Sequence, residues 1–311
     1  MKEKRFSWYA ISKRQGDLKF DLALIVFMVI MTVIFFYPVY MVIISAVSSP
    51  EAIYNGEVLL LPSGFNTQGF QLVLESTELW RGHLNSAFYT VVGTAISLFC
   101  TLTGAYVLAQ PSFGLKKVFT YMIIITMFVS GGMIPTYLLV RDLGLLNKVW
   151  AVTLPTAIST WNLMMTRTFL QSTIPNELRE AAELDGCNDI QFFWRIVLPL
   201  SVTIIAVMGM FYGINYWNEF FNSLLYITDE SKFPLQLVLR DLLLNSDFTM
   251  GAVQDTGFYD PYNQQQLMEM YQLAESMKYV VTLITVLPIV IIFPFVEKYL
   301  TKGVMVGSLK G

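Results

Sequence analysis

Two groups of residues in this chain have types and spacing suited to a task. The first is Glu180-Ala-Ala-Glu-Leu-Asp-Gly186, continued after nine residues by Ile196, Leu198 and Pro199. The second is Asn215, Asn218 and Glu219. Neither is arranged for covalent catalysis. His83 is the single histidine, so no nucleophile–histidine–acid set can be assembled, and with Cys100 and Cys187 it makes no metal-ligand cluster. No Gly-x-x-x-x-Gly-Lys-Ser/Thr loop is present to cradle nucleotide phosphates. The first group reads as a handle by which an external motor moves a transmembrane path. Its alanines offer a shallow surface for another helix, and Asp185-Gly186 supplies a sharp stop, because glycine takes the left-handed conformation that ends helices. The second group has i, i+3, i+4 spacing and shares one helical face. Polar groups inside an apolar helix are costly against lipid, so this face turns toward a wet path or toward a partner helix. Tyr216 and Trp217 then point elsewhere and suit interfacial anchoring.

The elements that position these groups follow from composition. Of 311 residues, 55% are hydrophobic and 14% charged, with a mean hydropathy of +0.55. Soluble domains carry about 25% charged residues. The apolar residues are gathered in long runs, which places the chain among all-α polytopic membrane proteins. A hydrocarbon core needs roughly 20 apolar residues as helix, and six stretches qualify: 22–47, 86–109, 118–140, 149–170, 200–227 and 279–299. The third contains Gly131, Gly132 and Pro135, the fourth Pro155, the sixth Pro288 and Pro294. The organisation is a cytoplasmic segment (1–21), a transmembrane domain (22–301) holding a polar loop (171–199), and a cytoplasmic tail (302–311). The run after Asp21 is too long for the apolar region of a signal peptide and reads as a retained span. Net charge is −3 with no basic stripe, which argues against nucleic acid.

Orientation follows from lysine and arginine. With a cytoplasmic N-terminus, 14 of the 20 fall on the cytoplasmic side. Both termini and the Glu180 segment are then inside. The outer loops are 48–85 and 228–278. The second is acidic, with Asp247, Asp255, Asp260, Glu269 and Glu275, and carries Tyr259, Tyr262 and Tyr271 beside glutamines 264–266. It reads either as solvated loop or as a docking or substrate-contact surface, since tyrosine and amides suit sugars. Between spans four and five, Thr173 and Asn176 are candidate caps around Pro175, with Glu177 and Glu180 in a first helical turn. Asn188-Asp189 can cap a second short helix, with Phe192, Phe193 and Trp194 as its apolar side.

The extended pattern Glu180, Ala181, Ala182, Gly186, Ile196, Leu198, Pro199, before the penultimate span, resembles the EAA signature of binding-protein-dependent ABC importer permeases. The resemblance implies a MetI-like type I ABC importer permease fold, six transmembrane helices with a cytoplasmic coupling helix seated in a cleft of an ATPase subunit. By it, Glu180 meets a basic residue of the ATPase, Ala181 and Ala182 allow close approach, Asp185 and Gly186 make the turn, and Ile196, Leu198 and Pro199 lead back to the membrane. Ser130-Gly-Gly-Met-Ile-Pro-Thr-Tyr137 with Leu143-Gly-Leu145, Asn215-Tyr-Trp-Asn-Glu-Phe220 and the tail 302–311 resemble maltose-type carbohydrate permeases, particularly those for complex oligosaccharides. The implied partners are a second homologous permease, two ATPase subunits, an extracytoplasmic solute-binding protein and the lipid bilayer of the bacterial cytoplasmic membrane. The implied substrate is an oligosaccharide; the alternative is a non-sugar solute such as a peptide. This chain binds no cofactor in that picture, and ATP and Mg are used by the ATPase subunits. Asn215, Asn218 and Glu219 are the candidate translocation path.

Overall fold

A computed structural model describes residues 18–241 and 261–308. Most of the segment 1–21, Asp247, Asp255, Tyr259 and Asp260 of the outer loop, and residues 309–311 lie outside the described residues. Every described element is helical. The chain divides into two compact units, Met1–Val73 with Thr249–Leu283, and Leu74–Phe248 with Ile284–Gly311.

The first unit begins with α1 (Leu18–Ala46), which keeps Pro38 within it. Phe35 is 74% exposed on it, and no part of its most apolar window is buried. A helix apolar all round satisfies its backbone internally and can face lipid on every side. After it, α2 (Pro50–Tyr54) is capped by the Ser49 side chain, which accepts from the Ala52 amide, and α3 (Gln68–Glu75) follows. Ile44 of α1, Ala52 of α2 and Val58 form a small core. The last helix, α14 (Pro261–Ser308), runs unbroken through Pro288 and Pro294. Tyr271 meets Tyr54 edge-on at 5.8 Å, so this outer-loop tyrosine packs against another ring.

The second unit is built on α4 (Thr77–Ala109), whose 33 residues reach about 50 Å at 1.5 Å each. It starts nine residues before the expected span, where Ser76 caps it by accepting from the Leu79 amide. The expected third span is two helices, α5 (Lys116–Ile125) and α6 (Met133–Asp142), interrupted where Gly132 takes a φ of 88°. The expected fourth span is likewise α7 (Val149–Thr153) and α8 (Thr160–Thr173), broken at Pro155. Proline lacks an amide donor, so the Ala151 carbonyl loses its helical partner there, although Leu154 before it stays in the α region at φ −70° and ψ −40°. By length and composition three described helices can cross a membrane, four if a bent pair at 189–217 is one span. The expected third and fourth spans fall short of that test because their glycine and proline breaks divide them.

Downstream lie α9 (Asn176–Leu184), α10 (Asp189–Phe192), a π-helical turn at Phe193–Val197, α11 (Leu198–Leu200), α12 (Val202–Trp217) and α13 (Phe221–Tyr226). The unit's centre is α12 against α4, with α8 beside both. Glycines permit the approach. A Cβ on Gly93 would lie 2.7 Å from the Tyr216 ring, and one on Gly104 would lie 3.0 Å from Leu163 Cδ1. Residues 231–235 of the second outer loop are tied to α4, while Thr228, Glu230 and Glu269 are exposed. Asn85 Nδ2 donates to the Ser231 and Phe233 carbonyls at 3.0 and 2.9 Å, Tyr89 Oη donates to the Lys232 carbonyl, and the Leu235 amide donates to Ser86 Oγ at 2.8 Å.

Candidate functional site

The Glu180 segment is a helix–turn–helix whose two sides differ. Pro175 forces Ile174 into an extended conformation, which ends α8 and fixes where α9 begins. Thr173 is the last residue of α8 and Asn176 the first of α9, so neither caps α9; Pro175 occupies that position. At the far end Asp185 is the C-cap and Gly186 follows with φ +78°. The Cys187 amide donates to the Ala182 carbonyl at 2.9 Å and the Gly186 amide to that of Glu183 at 3.0 Å, the paired bonds of a Schellman stop. A Cβ on Gly186 would meet nothing within 4 Å, so the glycine is required for its backbone conformation alone.

The second helix starts with a complete capping box. Asn188 Oδ1 accepts from the Gln191 amide at 2.8 Å, and Gln191 Oε1 accepts from the Asn188 amide at 3.2 Å. Arg179 ties the two helices, donating from Nε to Glu183 at 2.9 Å and from Nη2 to Asp189 at 2.7 Å. Its side chain is 16% exposed while both carboxylates face solvent, so each pair contributes about 0.5 kcal/mol. Phe193–Val197 then widens to a π turn, closed by the Leu198 amide on the Phe193 carbonyl. Pro199 has no amide to offer the Arg195 carbonyl, which accounts for the departure from the α-helical ladder at this place. At Ser201 the chain bends by 80° into α12.

The signature residues divide between the two sides. Ala182 is buried with Phe192, Phe193 and Val197 against Leu102, Ala105 and Leu108 of α4 and Leu163 and Leu170 of α8; Cys187, Ile196 and Leu198 pack partly buried on this core. Glu180, Ala181, Asp185, Gly186 and Pro199 are exposed. The two alanines therefore do different work: Ala181 offers the outward surface, and Ala182 lets α9 sit close on the core. Sequence reasoning missed Leu184, which is 91% exposed one turn after Glu180 on the same face. An apolar side chain held in water beside a carboxylate and a glycine turn is suited to entering a partner's pocket. Its signal was available, as the one large apolar residue in Glu180–Gly186.

The second candidate group is not one helical face. α12 ends at Trp217, so Asn218 is its C-cap and Glu219 lies beyond it. Asn215 is exposed on the last turn. Asn218 Nδ2 donates to the Ile214 carbonyl at 2.9 Å. The Glu219 carboxylate accepts from Asn222 twice, from the amide at 2.8 Å and from Nδ2 at 3.0 Å, and so organises the start of α13. Tyr216 and Trp217 are interior, at 1% and 8% exposed, rather than interfacial anchors. Trp217 Nε1 donates to the Thr285 carbonyl at 3.1 Å. Near α13, Asn147 holds a left-handed φ of 59°, and its Oδ1 accepts from the amides of Thr228 and Asp229 at 2.7 and 3.1 Å. Lys232 Nζ lies 2.8 Å from Asp229, and with the Ser231 hydroxyl it holds the Asp229 carboxyl down at about 2.

Long apolar helices, two broken spans and a charged helix–turn–helix set on a shared core make the described residues those of an all-helical membrane protein. More particularly, the chain belongs to the family described as binding-protein-dependent transport system inner membrane component, whose pattern matches residues 19–306. It is 34% identical over 292 residues to the polygalacturonan/rhamnogalacturonan transport system permease protein YtcP of Bacillus subtilis, covering 94% of this chain and 98% of that one. It is 37% identical over 292 residues to Protein LplC of the same organism, covering 94% and 95%. A crystal structure of a bacterial ABC transporter involved in import of the acidic polysaccharide alginate contains a chain matching with a TM-score of 0.78 and 29% identity, over 92% of this chain and 98% of that chain.

Proposed function

We propose that this chain is one of two homologous permease subunits of an ATP-driven importer carrying an acidic oligosaccharide across the bacterial cytoplasmic membrane. Two similar proteins support the substrate class: one is named for polygalacturonan and rhamnogalacturonan, the other belongs to an alginate importer. Galacturonate and alginate chains share a carboxylate on each sugar. Two ATPase subunits and an extracytoplasmic solute-binding protein complete the assembly. ATP and Mg serve the ATPases, and this chain binds neither. Both termini lie in the cytoplasm, as the lysine and arginine bias favours.

The single observation that carries the coupling mechanism is the two-sidedness of residues 176–200. Glu180, Ala181, Leu184, Asp185 and Gly186 are exposed, the surface we assign to the ATPase, while Ala182, Ile196 and Leu198 pack the segment onto α4 and α8. Pro199 and the bend at Ser201 turn its motion into α12. Closure of the ATPases on ATP moves the segment, and the membrane helices pass between inward- and outward-open states as a population shift. Asn215 and Asn218 line the sugar path, and Glu219 shapes it by holding the start of α13. Deletion of residues 180–186 should abolish co-purification of the ATPases while membrane insertion persists. ATPase recovered at the wild-type level would overturn the coupling assignment. Uptake of trigalacturonate by proteoliposomes containing the whole transporter and its binding protein tests the substrate class; uptake of peptides instead would replace it.

A further inference from the structure

Two buried phenols on α12 hold the break in the fourth span. Tyr212 and Tyr216 lie one turn apart, at 2% and 1% exposed, in line with Ile204 and Met208. Tyr216 Oη donates to the Thr153 carbonyl at 3.0 Å, at the end of α7, which leaves Ser97 Oγ of α4 to donate to Tyr216 Oη at 3.0 Å. Tyr212 Oη accepts from the Ser159 amide at 3.2 Å, just before α8, and shares a hydrogen bond of 2.7 Å with Thr101 Oγ1 of α4. The two ends of the Pro155 break, one carbonyl and one amide, are thus each satisfied by a tyrosine from α12, and each tyrosine is held by α4.

This places a brace at a particular mechanical position. α8 leads into the Glu180 segment and α12 leaves it. Tyr212 and Tyr216 stand ten and fourteen residues past Val202, about 15 and 21 Å along the helix. Ser159 stands at the opposite end of α8 from that segment. The pair of helices is closed at one end by the Glu180 segment and its core, and at the other by the two phenols. Without the phenols, α12 could tilt while the α7–α8 break absorbed the motion. We propose that Tyr212 and Tyr216 are positioning residues that make α4, the α7–α8 span and α12 move as one body when the Glu180 segment is displaced. The inference rests on the coupling role proposed for that segment.

Tyr212→Phe and Tyr216→Phe, singly and together, keep both rings and remove both hydroxyls. The test is amide hydrogen exchange across residues 154–159, in the whole transporter with its ATPases, nucleotide-free and trapped with ATP and vanadate. In the wild type, exchange there should be the same in both states. In the double variant the complex should assemble and hydrolyse ATP, while exchange becomes about fivefold faster and differs between nucleotide states. Exchange that is unchanged, or that rises equally in both states, overturns the brace and leaves the phenols as local hydrogen-bond partners. Each single variant keeps one phenol, so it gives the same reading if the double variant fails to assemble. Failure of the wild-type chain to retain an ATPase would instead remove the coupling role itself.

Discussion

Replacing Gly93 with alanine should be among the most damaging single-methyl changes in this chain. A Cβ there would sit 2.7 Å from both Cε2 and Cζ of Tyr216 and 2.8 Å from Cδ2. The ring has nowhere to go. It is 1% exposed, and its hydroxyl is fixed by Ser97 and the Thr153 carbonyl, each at 3.0 Å. Overpacking of this kind costs about 1–3 kcal/mol. Displacing the ring adds the loss of two buried hydrogen bonds at about 1 kcal/mol each. A total of about 3–5 kcal/mol should lower the thermal midpoint by roughly 6–10 °C at about 2 °C per kcal/mol. Gly104→Ala is the control, since its Cβ meets only Leu163 Cδ1, the far end of a flexible side chain, at 3.0 Å. It should cost about 1 kcal/mol or less. The assay is thermal unfolding of the detergent-solubilised protein at fixed scan rate. Adding Tyr216→Leu removes the opposing ring, so the costs of Gly93→Ala and Tyr216→Leu should not add. A Gly93→Ala variant as stable as wild type, or less affected than Gly104→Ala, would show that the Tyr216 ring does not close this position.

Gly186→Ala should cost about 1–2 kcal/mol, because its left-handed backbone, not its surroundings, excludes a side chain; Gly186→Asn should lose less, and thermal unfolding ranks the two. Leu184→Asp should leave stability within about 0.5 kcal/mol, since Leu184 is 91% exposed, yet reduce ATPase co-purification severalfold. Asp229 has a folded-state value of about 2, below its unfolded value near 3.9, so its stabilising contribution is full above about pH 4 and is lost as pH falls toward 2. Asp229→Asn should show a shallower loss of amide protection in residues 228–233 across that interval, measured by hydrogen exchange.

What could be read from sequence and what could not separate by the distance between interacting residues. The turn at Gly186 and the capping box at Asn188 were legible because every partner lies within a few residues. The break near Gly132 is legible for the same reason, although its depth is not, while Pro155 reads only as a proline tolerated inside a span, yet each divides its span into two helices. The separate tasks of Ala181 and Ala182 depend on which side of α9 meets α4 and α8. The triplet alone does not carry that information. Asn215, Asn218 and Glu219 have the spacing of one helical face, but the helix ends at Trp217 and removes the face. Tyr216 reads from sequence as an interfacial ring because its partners, Ser97 and Thr153, are 119 and 63 residues away. The pairs Ser97–Tyr216 and Thr101–Tyr212 between α4 and α12 carry no local signal, and only packing brings them together.

The central claim is that the outward face of α9 is where an ATPase subunit takes hold. A photoreactive residue placed at Leu184 and activated in intact membranes tests it directly, with Thr228, exposed beyond the end of α13, as the control position. An adduct of this chain with the ATPase is expected from position 184 and none from position 228. Absence of that adduct at 184 in a transporter that still hydrolyses ATP, or its equal appearance at 228, would contradict it.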